Sequence, residues 1–285
     1  MPEAIPINLV HSDGSSTVIH QFNATHGAKG VCVLFPAMGV NASYYEDLAL
    51  QLAAVGFTAF TVDLRGNGHS SLRPNRKVNF GYKDVLDFDY ATSIQYIRKL
   101  YPTEKLFLFG HSLGGQLSCL FASRQSVKID GLILSATCSV YYKGWPGFSA
   151  YRILAATQFI NMTAKITGYF PGKKLGFGGT EARGIMSDWS RQARTGCYKI
   201  SNDSNNYEKS LAELTLPVLA ISFQGDKLAP EGAVDHLLDK LKASKIEHLH
   251  LKKNDPRNDG FSHFSWAKKP KNIVAIVDDW VERIL

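Results

Sequence analysis

Cysteine is scarce in this chain. Four occur, Cys32, Cys119, Cys138 and Cys197, and none forms a C-x-x-C pair. The spacing leaves no paired-cysteine redox or metal motif and no disulfide framework. Cys32 falls in a strand pattern and Cys119 in a helix pattern, so both read as buried thiols, which suits a reducing compartment. No run of eighteen or more apolar residues occurs, and that excludes a membrane-spanning helix. The opening MPEAIPINLVHSDG has no basic start followed by an apolar stretch, so it does not read as a signal peptide, and a cytoplasmic location is expected. Internal repeats and low-complexity tracts are absent too.

The 285 residues allow one large domain or two small ones. A hydrophobic share of 45% and a charged share of 20% are ordinary for a globular protein. The net charge is +7, but the cations are dispersed. Their densest group, Lys252, Lys253, Arg257, Lys268, Lys269 and Lys271, reads as a solvated face, so neither a nucleic-acid partner nor a membrane patch is expected from it.

The most informative stretch is Lys105 to Arg124, KLFLFGHSLGGQLSCLFASR. Leu106 to Phe109 make a short apolar run that suits a buried strand. Leu113, Leu117, Leu120 and Phe121 then recur at helical spacing. Between them stands Gly110-His111-Ser112-Leu113-Gly114, with Ser112 at the apex of a very tight turn. Glycines two positions either side let strand and helix approach closely. The helix N-terminus beneath the serine favours negative charge there. A nucleophile attacking a carbonyl needs that setting. A bare G-x-S-x-G is common by chance, and the flanking strand and helix make it specific.

Along the rest of the chain, strands are expected at Ile5 to Val10, Thr17 to Phe22, Gly30 to Phe35, Phe57 to Val62, Gly131 to Ala136, Leu216 to Ser222 and Ile246 to Leu251. Helices are expected at Tyr44 to Val55, Asp84 to Leu100, Glu231 to Leu241 and Lys271 to Ile284. In the second of these, Val85, Phe88, Ile94, Ile97 and Leu100 are the candidate core positions. Alternating strands and helices imply a parallel sheet covered on both faces. The alternation breaks near Thr137 and resumes near Leu216. The residues between are rich in aromatics and glycine, include a helical piece near Glu181 to Thr195, and read as an inserted, mostly helical lid.

These features together resemble the α/β-hydrolase family over nearly the whole chain. The resemblance rests on Gly110-His111-Ser112-Leu113-Gly114, Asp63-Leu64-Arg65-Gly66-Asn67-Gly68-His69-Ser70, Gly225-Asp226 and His263, in the chain order Ser, Asp, His. Within the family, the Trp145-Pro146 lid and the Trp189 segment are similar to bacterial hydrolases grouped with serine aminopeptidase-like and lysophospholipase-like proteins. The resemblance implies an α/β fold with a mostly parallel eight-stranded sheet flanked by helices. It divides the chain into a core, residues 1–136 and 215–285, and a lid, residues 137–214.

It also implies the roles. Ser112 is the nucleophile, and His263, in the loop before the last helix, is its base. Asp226, after a late strand, orients His263. The backbone amides of Leu113 and Met38 form the oxyanion hole. The family usually has His-Gly where this chain has Pro36-Ala37, which leaves the second donor open between Met38 and Ala37. His111 reads as structural, His248 and His250 as ordinary strand residues, and the Asp63-to-Gly66 turn as a brace below the site. Neither metal nor organic cofactor is expected. The expected activity is hydrolysis of a small acyl substrate, a carboxylic ester first, through an acyl-enzyme. An aminopeptidase or thioesterase would use the same triad. The aminopeptidase would also need an acid to hold the substrate amine, for which Glu181, Asp188, Asp203 and Glu208 are candidates. A non-catalytic binding protein of this fold is the reading from another class.

Overall fold

The computed structural model describes residues 4–284. Among these residues, ten strands and ten α-helices follow in chain order, with short 3-10 and π-helical turns between them. The first six strands are β1 (Ile5–Val10), β2 (Ser16–Phe22), β3 (Gly30–Phe35), β4 (Phe57–Val62), β5 (Leu106–His111) and β6 (Gly131–Ser135). Two short strands, β7 (Tyr169–Pro171) and β8 (Thr180–Ala182), form a separate antiparallel pair. β9 (Val218–Phe223) and β10 (Ile246–Leu251) complete the main sheet. Its order is β1-β2-β4-β3-β5-β6-β9-β10. β1–β2 and β2–β4 are antiparallel, and every pairing from β4 to β10 is parallel.

Alternate residues of the central strands enter opposite cores. Val31, Val33, Leu108, Leu132 and Leu134 face one layer, and Cys32, Leu34, Phe107, Phe109 and Ile133 face the other. Because both faces are buried, these strands read as unbroken apolar runs. The second layer is closed by α1 (Glu46–Ala54), through Leu48 and Leu52, and by the last helix, through Ile273, Val277 and Trp280. Full burial of each such Leu, Ile or Phe is worth about 1.5–3 kcal/mol.

The α1 segment opens with a 3-10 turn, Ala42–Tyr45, where the sequence pattern predicts continuous helix. The next helical stretch differs more. It begins as α2 (Tyr82–Asp84), widens into a π-helical turn at Val85–Tyr90, and continues as α3 (Ala91–Leu100). The wider turn rotates the buried face relative to a regular helix. Leu86 and Tyr90 are therefore fully buried, whereas Phe88 is half-buried and Leu100 exposed. Val85, Ile94 and Ile97 lie in the core as expected.

The remaining helices are α4 (Leu113–Ser123), α5 (Phe148–Thr167), α6 (Gly172–Leu175), α7 (Arg183–Thr195), α8 (Tyr207–Ala212), α9 (Glu231–Leu238) and α10 (Lys271–Ile284). Two differences from the sequence pattern lie after β6. Glu181 sits in β8 rather than in the following helix, and the β7–β8 pair interrupts what reads as helix and loop alone. Short strands of three residues carry too little pattern to be read.

One buried ion pair ties the sheet edge to the π-helical turn. Arg65 donates from its backbone N–H to Asp89 Oδ1 at 2.9 Å and from Nε to the same carboxylate. Its Nη1 reaches Asp13 Oδ2 at 3.1 Å, in the β1–β2 turn. Asp89 is fully buried and Arg65 nearly so. Removing one partner leaves an uncompensated buried charge, whereas replacing both with apolar groups does not. Asp89→Ala is expected to cost about 3–5 kcal/mol in urea unfolding, and Arg65→Met with Asp89→Leu to recover most of that loss. Equal losses in the single and double variants would contradict the pairing.

Candidate active site

β5 ends at His111 and α4 begins at Leu113, so a single residue turns the chain. That residue, Ser112, has φ 52° and ψ −117°, outside the regions an L-residue normally occupies. The strain is held by close packing on both sides. A Cβ on Gly110 would overlap Gly115 Cα, and one on Gly114 would overlap the carbonyl oxygen of Phe35. A Cβ on Gly115 would overlap the Thr137 side chain. Strand, helix and the end of β3 therefore meet at backbone contact distance, and Ser112 keeps part of its surface accessible.

The structure brings Ser112, His263 and Asp226 together from three distant segments. Ser112 Oγ lies 3.1 Å from His263 Nε2. His263 Nδ1 lies 2.8 Å from Asp226 Oδ2. In this pairing Nδ1–H donates to the carboxylate and Nε2 is left to accept from the serine hydroxyl. The second oxygen of Asp226 accepts from the Leu228 and Ala229 amides at 2.8 and 3.1 Å, so the carboxylate cannot rotate freely. Trp145 Nε1 donates to Lys227 O at 3.0 Å and pins the same loop from the far side. The His263 loop is pinned by Trp266, whose Nε1 donates to His263 O at 3.0 Å. Trp266 in turn lies parallel to Phe109 of β5, with ring centres 5.8 Å apart. His263 and Asp226 are both buried, which strengthens their interaction relative to water.

Met38 lies in the turn after β3, and Leu113 is the first residue of α4. The neighbouring Ala37 N–H is already bound, donating to Tyr45 Oη at 3.0 Å. Among the described residues no protein acceptor pairs with the Met38 or Leu113 N–H. Tyr45 Oη also sits 2.7 Å from His111 Nδ1. His111 is fully buried, and burial with His263 beside it holds its pKa well below the ordinary value. A neutral His111 accepts the Tyr45 proton, so a relay runs from the Ala37 amide through Tyr45 to His111. It fixes the β3 turn relative to Ser112. Sequence reasoning missed Tyr45, because only the fold reveals that its hydroxyl spans the ends of β3 and β5.

Asp63 braces the turn after β4. Its carboxylate accepts from the Ala42 and His69 amides at 2.8 and 2.9 Å, and a Cβ on Gly68 would overlap it. His248 and His250, half-buried on β10, both approach the buried Ser222 Oγ of β9 at 2.8 Å. Of the four acids considered for holding an amine, three pair with cations, Asp188 with Arg191 at 3.0 Å. Asp188 accepts from Tyr82 N and Ser201 N at 3.2 and 3.0 Å. Asp203 pairs with Arg124 at 2.7 Å, and Glu208 with Lys240 at 2.7 Å. Two surface clefts, of about 300 and 600 Å³, lie elsewhere, one beside Ala122 and Leu216 and one beside Asn79 and Arg183.

Glu181 is the exception. It lies under a glycine-rich loop, Gly172 to Gly179, that presses on the β3 turn. A Cβ on Gly179 would sit 2.9 Å from Glu181 Oε1 and 3.0 Å from Gly39 Cα, and one on Gly178 would sit 3.6 Å from Met38 Sδ. Glu181 Oε1 accepts from the Gly179 N–H at 3.0 Å. Burial pushes its pKa from an ordinary 4.5 up to about 7, against the opposing pull of that hydrogen bond.

Comparison with known proteins places the fold in a family. A family model described as "Serine aminopeptidase, S33" matches residues 26–190. The chain is 24% identical to the monoglyceride lipase of Homo sapiens over 259 residues, covering 88% of this chain and 84% of that protein. It is 22% identical to the monoacylglycerol lipase of Mycolicibacterium smegmatis over 241 residues, covering 79% of each. The crystal structure of a monoacylglycerol lipase from Paleococcus ferrophilus shares the fold, with a TM-score of 0.63 and 17% identity over 94% of this chain and 99% of that one.

The sign of the Glu181 effect on stability follows from its two pKa values. The unfolded side chain ionises near 4.5 and the folded one near 7. Stability is therefore highest below the unfolded value and falls as pH rises through the folded one. Glu181→Gln keeps an acceptor for the Gly179 N–H and cannot ionise. Its denaturation midpoint is expected to match the wild type near pH 4.5 and to exceed it above pH 7, by up to about 3 kcal/mol in free energy. A difference that does not change with pH would contradict the burial of an ionisable group at this position.

Proposed function

Because the chain belongs to the serine aminopeptidase S33 family of the α/β-hydrolase superfamily, we propose that it is a serine hydrolase that cleaves a carboxylic ester through a Ser112–His263–Asp226 triad. The observation that carries this reading is the unbroken hydrogen-bond chain from Ser112 Oγ to the amide-anchored carboxylate of Asp226.

The chemistry follows from the placement of the groups. Ser112 Oγ attacks the ester carbonyl carbon while His263 Nε2 takes its proton. The carbonyl oxygen becomes an oxyanion, and the amides of Met38 and Leu113 stabilise it. Asp226 holds His263 in the tautomer that accepts at Nε2 and stabilises the imidazolium. The tetrahedral intermediate collapses, the ester C–O bond breaks, and the departing alcohol takes the proton from His263. Water then attacks the acyl-enzyme, with His263 again accepting the proton, and the acid leaves while Ser112 regains its hydrogen. No redox step or co-reactant besides water enters this cycle.

Relatives whose names describe monoglyceride and monoacylglycerol lipases favour an ester with a single acyl chain as substrate. The segment 137–214 then acts as a lid over the site, and Trp145 is its link to the Asp226 loop. A peptidase acting at a free N-terminus shares the family but needs an ionised acid facing the amine. Among the described residues Glu181 is the one acid of the four with no cation partner, and a pKa of about 7 leaves roughly half of it neutral at neutral pH. That weakens the peptidase reading. A thioester would use the same residues in the same order. A binding protein without catalysis has no need to keep all three triad members in register.

A fluorophosphonate probe and a pair of chromogenic substrates test the proposal, a nitrophenyl ester and an aminoacyl nitroanilide. The wild type should be labelled and should turn over the ester in preference to the anilide. Ser112→Ala should abolish labelling and turnover, and Asp226→Asn should lower kcat by roughly 10⁴-fold. Labelling that persists in Ser112→Ala, or preference for the anilide, would contradict it.

A further inference from the structure

Among the described residues, six of the eleven exposed large apolar side chains lie between residues 148 and 175. Phe148 and Ile166 are about three-quarters exposed, at 76% and 75%, and Tyr151, Phe159, Met162 and Leu175 are all above half. Five of the six are on α5, at positions 148, 151, 159, 162 and 166, with the exposed Ala155 filling the gap. Steps of three and four residues put them on one face of the helix. The opposite face packs inward through Ala150, Thr157 and Ala164. A helix of twenty residues is about 30 Å long, so the stripe runs along much of one side of the molecule. Contiguous exposed apolar surface of this kind marks an interaction site.

The charge on the stretch of chain that carries the stripe is one-sided. From Gly131 to Thr180 the chain contains no Asp and no Glu, but it has five cations, Lys143, Arg152, Lys165, Lys173 and Lys174. All five are exposed. Arg76, from the loop after β4, adds a sixth at the end of α5, where its Nε donates to Thr167 O at 3.2 Å. The nearest acid in sequence, Glu181, is buried.

We infer that the outer face of α5 docks on an anionic lipid surface, with Phe148, Phe159, Met162 and Ile166 entering the interface and Arg152, Lys165, Lys173 and Lys174 meeting the headgroups. An apolar face bordered by cations and lying flat is the pattern of an interfacial helix. No helix among the described residues is long and apolar enough to cross a membrane, so α5 would lie on the surface rather than span it. Charge argues against a second copy of this chain as the occupant. A two-fold contact would set the acid-free, cationic border against itself. The inference stands on surface composition alone and does not require the proposed chemistry.

The test is sedimentation with vesicles of phosphatidylcholine, with and without phosphatidylglycerol, using both the full chain and its Ser112→Ala variant. Partition onto the phosphatidylglycerol vesicles is expected for both proteins, and it should fall in high salt. The double variant Phe159→Ser, Ile166→Ser should bind at least roughly tenfold more weakly, and Lys165→Glu, Lys173→Glu should lose the preference for the anionic lipid. These side chains are exposed, so thermal unfolding of the variants should match the wild type. If Phe159→Ser, Ile166→Ser does unfold, Lys165→Glu, Lys173→Glu decides the question. Absence of partition onto either vesicle, equal partition onto both, or a wild-type dimer in light scattering that Phe159→Ser, Ile166→Ser dissociates would overturn the inference. The result for Ser112→Ala separates a failure of docking from a failure of the esterase reading.

Discussion

Ser112 is held in a backbone conformation that an L-residue resists, and the glycines around it make that possible. Gly110 meets Gly115, Gly114 meets the end of β3, and Gly115 meets Thr137. These contacts leave no room for side chains, so the strand, the helix and the β3 turn are locked at one distance. Such strain costs of order 1–3 kcal/mol and persists only where surrounding packing over-determines it. Here the surrounding packing is the parallel sheet itself. β5 lies between β3 and β6 at its centre, and apolar layers close on both faces. The sheet therefore does more than bury surface. It supplies the rigidity that keeps a partly accessible hydroxyl, a helix N-terminus and a neighbouring turn in register.

The other parts of the site attach to that fixed point by short tethers. Trp266 connects the His263 loop to Phe109 of β5. Trp145 connects residues after β6 to the Asp226 loop. Tyr45 connects the β3 turn to His111, the residue before the serine. Each tether is one buried aromatic side chain with a polar tip, which combines apolar packing with one directed hydrogen bond. The glycine-rich loop that Glu181 binds presses on the same turn at Met38 and Gly39. The β3 turn is thus held between a neutral tyrosine–histidine pair and a carboxyl group whose charge depends on pH. The outer face of α5, cationic and apolar, belongs to the same stretch of chain between β6 and β9.

Much of the fold was readable because a parallel sheet buried on both faces demands unbroken apolar runs. β3 and β4 lie where those runs lie, the half-buried edge strand β10 has the expected bounds, and α10 spans the residues its periodicity predicts. The π-helical turn at Val85–Tyr90 was not readable. One extra residue per turn leaves composition unchanged and shifts only which side chains face inward, so Phe88 and Leu100 looked like core residues in place of Leu86 and Tyr90. Ser112 announced itself through local chemistry, since its glycines are neighbours in sequence. Asp226 and His263 carry no such local mark, and only the resemblance to a family and its chain order singled them out. The structure sets them within 2.8 Å of each other and His263 within 3.1 Å of Ser112. Tyr45 had no signal at all, and Glu181 stood out only as one of the four acids considered for holding an amine. A tyrosine hydroxyl that joins two strand ends, and a glutamate buried by a loop of glycines, become meaningful only when the chain is folded.

The central claim is that Ser112 becomes covalently acylated during turnover. Rapid mixing with a slowly deacylating nitrophenyl ester, acid quench and mass spectrometry of the digested protein would test it directly. The account predicts an added acyl mass on the peptide containing Ser112, appearing with a burst of nitrophenol and decaying as the acid is released. An acyl mass on another residue, or turnover with no covalent species and no burst under any quench time, would contradict it.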